Sequence, residues 1–362
     1  MPMIPLVDVK AQYAPLIPEL KERLGEVLES GRFILGPNVS SFEEEAAAYL
    51  GVPATIGVGN GTDAIVLVLR AMGIEPGDEV ICPSFTFYAT PEAIVRRGAT
   101  PVFADIDAVT LNLDVQDVSR RITPRTKAIM PVHLFGRPAP LSELAALDIP
   151  IVEDAAQAFG AEGVAQTGVT STFSFFPTKN LFGLGDGGLV AATDEEVADR
   201  VRLLRFHGSR DKVDFELVGY NSRLDEIQAA ALRIFLPHLS GWNQARREAA
   251  ARYADLGLGE ICELPADDGR HVYHMYVVRS RERDRIAAAL TEAGISCASY
   301  YVTPMHRQQA LLFLGVEEGS LPETERASRE NLALPMWAGI GPEVQERVVS
   351  VIRDSVPARS AA

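Results

Sequence analysis

The chain has 362 residues and a formal net charge of −15, with 34 Lys and Arg against 49 Asp and Glu. This length is more than one small core requires, and it allows a large α/β domain with a second, smaller domain. The acidic balance argues against binding to nucleic acid or to anionic membranes, because both need clustered basic side chains.

The cysteines and the apolar runs indicate the compartment. Cys82, Cys262 and Cys297 are an odd number, are far apart and show no CxxC spacing. This pattern favours reduced thiols and suggests neither a disulfide framework nor a metal site. No apolar run reaches the roughly 18 to 20 residues of a membrane span, and the N-terminus lacks the apolar segment of a signal peptide. We therefore expect a cytoplasmic protein without a membrane segment or a resident metal.

Short apolar runs alternate with helical patterns from about residue 55 to residue 193. The strand-like runs are TIGV, EVICPS, TPVFADI, KAIMPVHLF, IPIVED, TFSFF and GLVAAT. Such alternation is typical of crossover units on a mostly parallel sheet, and runs this apolar suit strands that are covered on both faces. Ligands of such folds bind at the C-terminal ends of the strands.

The second half is mainly helical at first. DEEVADRVRLLRFHG begins at a capping Asp, and LDEIQAAALRIFLPHL keeps helical spacing up to Pro237. Beyond PADDGRH the pattern becomes β-α-β-α, in HVYHMYVVRS, RERDRIAAALTEAG, ISCASYY and PEVQERVVSVI. We therefore predict an N-terminal arm and large domain over residues 1–245 and a smaller C-terminal α+β domain over residues 246–362.

Lys179, in the stretch FSFFPTKNLFGLGDGG, is the first candidate for chemistry. A lysine in an apolar pocket loses hydration, which favours its neutral form, and a neutral amine can attack an aldehyde to form a Schiff base. The alternative is a lysine whose stem packs on the surface while its ammonium group stays in water.

Asp154 ends the run IPIVED, so it is expected at the C-terminal end of a strand. A carboxylate there could hold the ring nitrogen of pyridoxal phosphate protonated. The alternative is an aspartate that caps the following helix. Gln157, three residues further on, could face the same ligand.

Three further features could contact a phosphorylated, flat cofactor. The turn GVGNGTDAI brings Gly61 and Thr62 to a helix start, where unpaired amides attract phosphate, although most glycine-rich turns bind nothing. CPSFTFYAT carries aromatic rings that could stack on a cofactor or belong to the core. Ser174 faces opposite to its phenylalanine neighbours, and it could donate to a phosphate oxygen or be a small core residue.

Together these motifs resemble the DegT-type sugar aminotransferases, a branch of the fold-type I pyridoxal-phosphate enzymes. The resemblance spans nearly the whole chain, through ILGPNVSSFEEEAAAYLGV, GNGTDAI, PGDEVICPSFTFYAT, IVEDAAQAFGA, FSFFPTKNLFGLGDGG and GYNSRLDEIQAA. It implies an α/β fold in which a large domain has a mostly parallel seven-stranded sheet between helices, followed by a smaller C-terminal α+β domain.

The resemblance also implies residue roles. Lys179 matches the Schiff-base lysine, and Asp154 matches the partner of the pyridine nitrogen. The other matched positions contact the cofactor's phenolic oxygen, its phosphate or its ring face, and they are Gln157, Gly61, Thr62, Ser174 and Phe87. Asn221, in GYNSRLDEI, matches an asparagine that reaches the phosphate of the neighbouring subunit's cofactor, which implies a homodimer with shared active sites.

The implied reaction is ping-pong transamination. An amino acid, by family resemblance L-glutamate, converts pyridoxal phosphate to pyridoxamine phosphate, which then aminates a keto hexose carried on a nucleotide diphosphate. GYNSRLDEIQAAALR resembles the branch that acts on 3-keto sugars, while C4 amination is the alternative. A further alternative is a pyridoxal-phosphate-bound regulator or scaffold without turnover.

Other chemistries and the substrate contacts complete the prediction. A dehydratase of this family would have histidine in place of Lys179, so Lys179 argues against that activity. A cysteine desulfurase would need a thiol on a mobile catalytic loop. Arg210 and Lys212 precede the asparagine motif and are hypothetical contacts for the sugar diphosphate, with solvated loop charges as the alternative. His306, in MHRQQALLFLG, is a third hypothetical substrate contact.

Overall fold

The computed structural model describes residues 3–356. In this part of the chain the strands are β1 (Ala54–Val58), β2 (Glu79–Pro83), β3 (Thr100–Ala104), β4 (Thr126–Ile129), β5 (Val152–Asp154), β6 (Thr170–Ser174), β7 (Gly188–Ala192), β8 (Tyr276–Arg279) and β9 (Asn331–Leu334). The α-helices are α1 (Val9–Tyr13), α2 (Ile17–Ser30), α3 (Pro37–Leu50), α4 (Gly61–Ala71), α5 (Ala89–Arg96), α6 (Val115–Arg121), α7 (Leu141–Ala145), α8 (Glu195–Arg205), α9 (Glu226–Phe235), α10 (Leu239–Asp255), α11 (Arg283–Glu292), α12 (Pro322–Glu330) and α13 (Pro342–Ser355).

The first seven strands form one large sheet. Four strands pair in the order β1-β7-β6-β5 and three in the order β3-β2-β4. Parallel bridges from Ile129 to Ile151 and from Val132 to Asp154 join the two sets. All neighbours run parallel except β7, which is antiparallel to β1 and β6. The predicted mostly parallel, seven-stranded sheet is confirmed.

Helices cover both faces of this sheet, as the continuous apolar runs predict. The alternation of side chains along β7 separates the two faces. Val190 and Ala192 join a buried cluster with α4 and α8. Leu189 and Ala191 join a second cluster with α3 and α9. The sheet therefore has no solvated face at β7.

The C-terminal part builds a separate core on the antiparallel pair of β8 and β9. The predicted boundary at residue 245 falls inside α10, so a continuous helix passes from one part to the other. Packing also crosses this boundary, because Ile4 joins the C-terminal core while Met305 joins the cluster around α4. The division at residues 245 and 246 stays a prediction.

The prediction that ISCASYY supplies the second strand of the C-terminal domain is wrong. The partner of β8 is β9, and Ala298 makes only an isolated bridge with Ala333. Side chains replace the expected ladder, because the Tyr300 N–H donates to the side chain of Asn331 at 2.6 Å and the Ser299 hydroxyl donates to the Asn331 carbonyl at 2.9 Å.

Between residues 3 and 356, no helix is both long enough and apolar enough to cross a membrane.

Candidate active site

A cavity of about 450 Å³ opens at the edge of the large sheet where β5 and β6 end and α4 begins. Seven of the predicted cofactor residues line it, namely Gly61, Thr62, Phe87, Asp154, Gln157, Ser174 and Lys179. The C-terminal part contributes a second wall made of His274, Met275, Tyr300 and Tyr301. Two larger grooves, around Arg137 and Arg233, contain none of the predicted residues.

Lys179 lies in the loop between β6 and β7, and it is half-buried. Its backbone N–H donates to the carbonyl of Phe176 at 2.8 Å, which fixes the start of the side chain. Burial lowers the pKa of Lys179 to about 8, although the charge of Asp154 opposes the shift. With a pKa near 8, roughly a tenth of the amine is neutral at pH 7, far more than for an ordinary lysine. Lys179 can therefore act as a nucleophile and as a base near neutral pH.

Asp154 is the last residue of β5 and is 5% exposed. The Thr90 hydroxyl donates to Oδ2 at 2.7 Å, and the Ala156 N–H donates to Oδ1 at 3.2 Å. Burial raises the pKa of Asp154, although these hydrogen bonds and the charge of Lys179 oppose the shift. A buried carboxylate gains stability from a cationic partner, which a protonated pyridine nitrogen would provide.

The turn from β1 to α4 brings backbone amides against β6. Asn60 caps α4 by accepting a hydrogen bond from the Asp63 N–H at 2.8 Å. A Cβ at Gly61 would lie 2.7 Å from the Cβ of Ser174, so only glycine allows this close approach. The first amides of α4, the Thr62 hydroxyl and the Ser174 hydroxyl therefore converge, and such a helix start is suited to a phosphate group.

Gln157 connects the two walls of the cavity. Its Oε1 accepts a hydrogen bond from the Phe135 N–H at 2.8 Å, which turns the amide NH2 toward the Tyr301 hydroxyl at 3.4 Å. The Phe135 carbonyl accepts from the Met275 N–H at 3.3 Å. The backbone of Phe135 thus links the strand-end wall to the C-terminal wall through its N–H and its carbonyl.

Phe87 presents an uncovered ring at the mouth of the cavity. It is 57% exposed, and its ring centroid lies 6.3 Å from that of Tyr301. A flat aromatic ligand above Asp154 would cover this ring and gain the energy of stacking.

Three of the other predicted residues lie outside the cavity of their own chain. Asn221 is exposed beyond it. The guanidinium of Arg210 is already paired with Asp199 at 2.7 Å. The Lys212 ammonium lies 4.9 Å from the ring centroid of Phe206. A single chain therefore does not bring any of the three to the cofactor residues.

His306 is buried and does not line the cavity. Its Nδ1 lies 2.8 Å from the Ser84 hydroxyl oxygen, which also accepts a hydrogen bond from the His306 N–H at 3.0 Å. Its Nε2 is 3.4 Å from Glu325. The structure thus places His306 where it joins the end of β2 to the C-terminal part, and its role as a substrate contact stays a prediction.

Sequence reasoning missed the C-terminal wall and the partner of Asp154. His274 and Tyr301 are separated from Lys179 by about a hundred residues of sequence, and neither belongs to a recognisable motif. Thr90 had a weak signal, since it is the last residue of the aromatic stretch CPSFTFYAT and lies in the first turn of α5.

Known proteins resemble this chain over almost its whole length. The DegT/DnrJ/EryC1/StrS aminotransferase family matches residues 16–353. A pleiotropic regulatory protein of Geobacillus stearothermophilus is 46% identical over 97% of this chain and 98% of its own length. A UDP-N-acetyl-3-dehydro-alpha-D-glucosamine 3-aminotransferase of Acidithiobacillus ferrooxidans is 43% identical over 97% of each chain. The crystal structure of Streptomyces venezuelae DesV in complex with a ketimine intermediate has a TM-score of 0.94 and 41% identity, with 98% of each chain covered. The chain therefore belongs to the DegT/DnrJ/EryC1/StrS aminotransferase family.

Aminotransferases of this family depend on pyridoxal phosphate, and the cavity fits that cofactor. An anion site at the start of α4, a buried carboxylate at Asp154 and an amine of lowered pKa at Lys179 match its phosphate, ring nitrogen and aldehyde in turn. Among residues 3–356, no cluster of His, Cys, Asp and Glu side chains is arranged to hold a metal ion.

Proposed function

We propose that this aminotransferase moves an amino group from L-glutamate to the C3 keto carbon of a nucleotide-linked hexose. The observation that carries the catalytic part is the meeting of Lys179, Asp154 and the α4 anion site in one cavity. The relatives supply the substrate class, because one of them is named as a 3-aminotransferase of a UDP-linked 3-keto sugar. C4 amination is the alternative within the same family.

The roles of the residues follow from their positions. When bound, pyridoxal phosphate supplies the electron sink that makes the α-proton of an amino acid acidic. Asp154 would hold the ring nitrogen of the bound cofactor in its protonated form. Lys179 Nζ would anchor the cofactor in the resting enzyme and, once free, would take the proton from the donor's α-carbon. In the second half of the cycle it delivers a proton to the sugar carbon that receives the amino group.

A homodimer with shared sites is part of the proposal. The loop that carries Arg210 and Lys212 exposes Val213, Phe215 and Val218, which are 76%, 61% and 83% exposed. Such a concentration of exposed apolar side chains is unusual for a monomer surface. Its position directly before Asn221 favours a second copy of the chain as the covering partner, with Asn221 reaching that copy's phosphate site. Lys212 is the better candidate for the sugar diphosphate, because Arg210 already pairs with acidic side chains.

We place the reaction in the cytoplasm. Cys82, Cys262 and Cys297 are all unpaired in the described chain, and two of them are buried. Free thiols are characteristic of reducing compartments.

A regulator that binds the cofactor without turnover is the second candidate. The relative from Geobacillus stearothermophilus, named as a regulatory protein, favours it. Such a regulator would need the same cofactor residues, Lys179 included, so only turnover separates it from the enzyme.

Removal of the lysine tests the proposal. We expect the purified protein to be yellow and to keep the cofactor covalently after borohydride reduction, with the label on Lys179 by peptide mass spectrometry. Lys179→Ala should lose this linkage and all amino transfer, because no other amine lines the cavity in the described chain. The control is Lys127→Ala, which removes an exposed lysine of β4.

The same preparation separates the two candidates. L-Glutamate should be converted to 2-oxoglutarate in the presence of a nucleotide-linked 3-keto hexose, and NMR should place the new amine at C3. A reducible linkage at Lys179 without any conversion would favour the regulator, and an amine at C4 would move the enzyme to the other branch. Retention of the linkage in Lys179→Ala would remove Lys179 from the anchoring role.

A further inference from the structure

His274 is a buried side chain of the cavity to which no role has been given so far. It is 1% exposed and lines the cavity together with Lys179. Neither of its ring nitrogens has a hydrogen-bond partner among residues 3–356. Buried polar atoms are nearly always paired in folded proteins, and an exception at a binding cavity points to a group that moves or arrives.

The backbone holds His274 at a fixed place relative to Lys179. Asn180, the next residue after Lys179, donates from its side chain to the Val272 carbonyl at 2.8 Å. On the other side of His274, the Met275 N–H donates to the Phe135 carbonyl. The segment that carries the imidazole is therefore tied to the loop that carries the amine.

A buried cation lies behind the imidazole. Arg246 of α10 is 1% exposed and donates to the Tyr273 carbonyl at 3.2 Å and to Gln12 at 3.4 Å. No carboxylate of the described chain shifts its pKa, and it keeps its charge because burial lowers the pKa of Arg246 only to about 10.

These surroundings set the protonation state of His274. Burial, together with the charges of Lys179 in front and Arg246 behind, holds the pKa of His274 well below its usual range. The other ionisable groups of the cavity are Asp154, Asp186 and the two tyrosines of the C-terminal wall. His274 is therefore a neutral imidazole with one nitrogen lone pair available as an acceptor.

We propose that His274 is a positioning residue that accepts a hydrogen bond from the free amine of Lys179 when that amine turns toward it. This bond turns the lone pair of Nζ away from the C-terminal wall and toward the α-carbon of the donor. The inference rests on the proposed role of Lys179. In this role His274 does not transfer a proton itself, because the proton moves directly between the α-carbon and Lys179 Nζ.

The first test follows a single half-reaction of the cofactor-loaded enzyme. With L-glutamate and no acceptor, His274→Phe should slow conversion to the pyridoxamine form about tenfold or more, since a misdirected amine lowers the share of reactive geometries. The effect of α-deuterated glutamate should become larger, because proton removal then limits the rate. His274→Asn, whose amide oxygen also accepts a hydrogen bond, should stay within about threefold of wild type.

The second test needs no turnover. The full-length chain, freed of cofactor, captures added pyridoxal phosphate at a rate that rises with the neutral fraction of Lys179. The wild-type rate should be half-maximal near pH 8. Loss of an acceptor makes the ammonium form less stable, so His274→Phe should move this midpoint down by about half a pH unit or more, while His274→Asn should not.

The outcomes are distinct. Wild-type rates, an unchanged isotope effect and an unchanged capture midpoint in His274→Phe would overturn the proposal, as would equal losses in the Phe and Asn variants. His274→Leu repeats the test if the phenyl ring prevents folding. Absence of any half-reaction in the wild-type protein would count against the proposed function alone, since the capture midpoint still tests the contact between His274 and Lys179.

Discussion

Thr90 determines how much of the Asp154 carboxyl is charged. Its hydroxyl donates to that carboxylate at 2.7 Å, and the Thr86 hydroxyl lies 3.1 Å from the Thr90 oxygen. Burial pushes the carboxyl toward its neutral form, and a hydrogen bond to the charged form opposes that push. The usefulness of Asp154 as a partner of the ring nitrogen therefore depends on a neutral neighbour in α5.

Thr90→Val tests this dependence with almost no change of shape. Loss of the hydroxyl should raise the pKa of Asp154 further, because the charged form loses a donor. Since the charged form is the active one, activity is lost as the pH falls through this pKa, and the acid limb of the profile should move to higher pH. We expect kcat for amino transfer to fall about tenfold on that limb. The measurement is kcat against pH, with cofactor content determined by absorbance.

Thr86→Val is the matched control, because Thr86 contacts Thr90 but donates to no carboxylate oxygen of Asp154 in the structure. It should leave the acid limb near its wild-type position. An acid limb that stays in place in Thr90→Val would show that the hydroxyl does not control the charge of Asp154.

At the scale of elements, β7 shapes the phosphate end of the cavity. It runs against the direction of its neighbours, so its first residue, Gly188, lies at the edge where β1 and β6 end. A Cβ at Gly188 would come within 2.4 Å of the Asn60 carbonyl oxygen and within 2.9 Å of the Gly61 nitrogen. The backbone of β7 thus supports the turn that starts α4.

Gly188→Ala should displace this turn, because the atoms that the new methyl group would meet are backbone atoms and not the end of a flexible side chain. We expect cofactor affinity to fall about tenfold, which corresponds to about 1.4 kcal/mol, through weaker phosphate binding. The melting temperature should fall as well. Equilibrium titration with pyridoxal phosphate and thermal unfolding measure the two effects.

Gly25→Ala is the opposite case. Gly25 lies within α2, and a Cβ there meets nothing within 4 Å. Alanine should stabilise that helix by about 0.5 to 1 kcal/mol and leave cofactor affinity unchanged. If Gly188→Ala kept full affinity for pyridoxal phosphate, the turn before α4 would be able to move at little free-energy cost.

The secondary-structure elements also show which parts of the fold can be predicted from sequence patterns alone. The seven apolar runs predict β1 to β7, because strands buried on both faces need continuous apolar residues. Residues at the ends of those strands, such as Asp154 and Ser174, could be predicted for the same reason. His274 could not, since its place depends on packing between distant parts of the chain. The segment ISCASYY was wrongly predicted as a strand, because an apolar pattern cannot reveal that the side chains of Ser299 and Asn331 form its contacts with β9.

The scale of the whole molecule raises the question of how Asn221 could serve a cofactor site. In a single chain it is exposed and does not line the cavity. Two apolar rings at the cavity mouth, Phe87 and Phe176, are also more than half exposed. A second copy that covers these rings and brings its own Asn221 to the phosphate end would account for both features, as expected for a symmetric pair.

Mixing two inactive chains tests this arrangement. Lys179→Ala and Asn221→Ala should each be impaired as homodimers. In a mixed dimer, one site combines both substitutions, while the other has an intact Lys179 from one chain and an intact Asn221 from its partner. Random exchange makes half of the dimers mixed, with one good site each, so activity should recover to roughly a quarter of the wild-type value.

The recovery depends on exchange of subunits, which supplies its own control. Chains mixed and assayed at once should show only the activity of the homodimers, while chains unfolded and refolded together should gain activity. Lys127→Ala, refolded with Lys179→Ala, should give no more activity than dilution predicts, because both chains carry Asn221. If Asn221 served its own chain, mixed dimers of the first pair would contain no intact site, and activity would not rise above that of the separate variants.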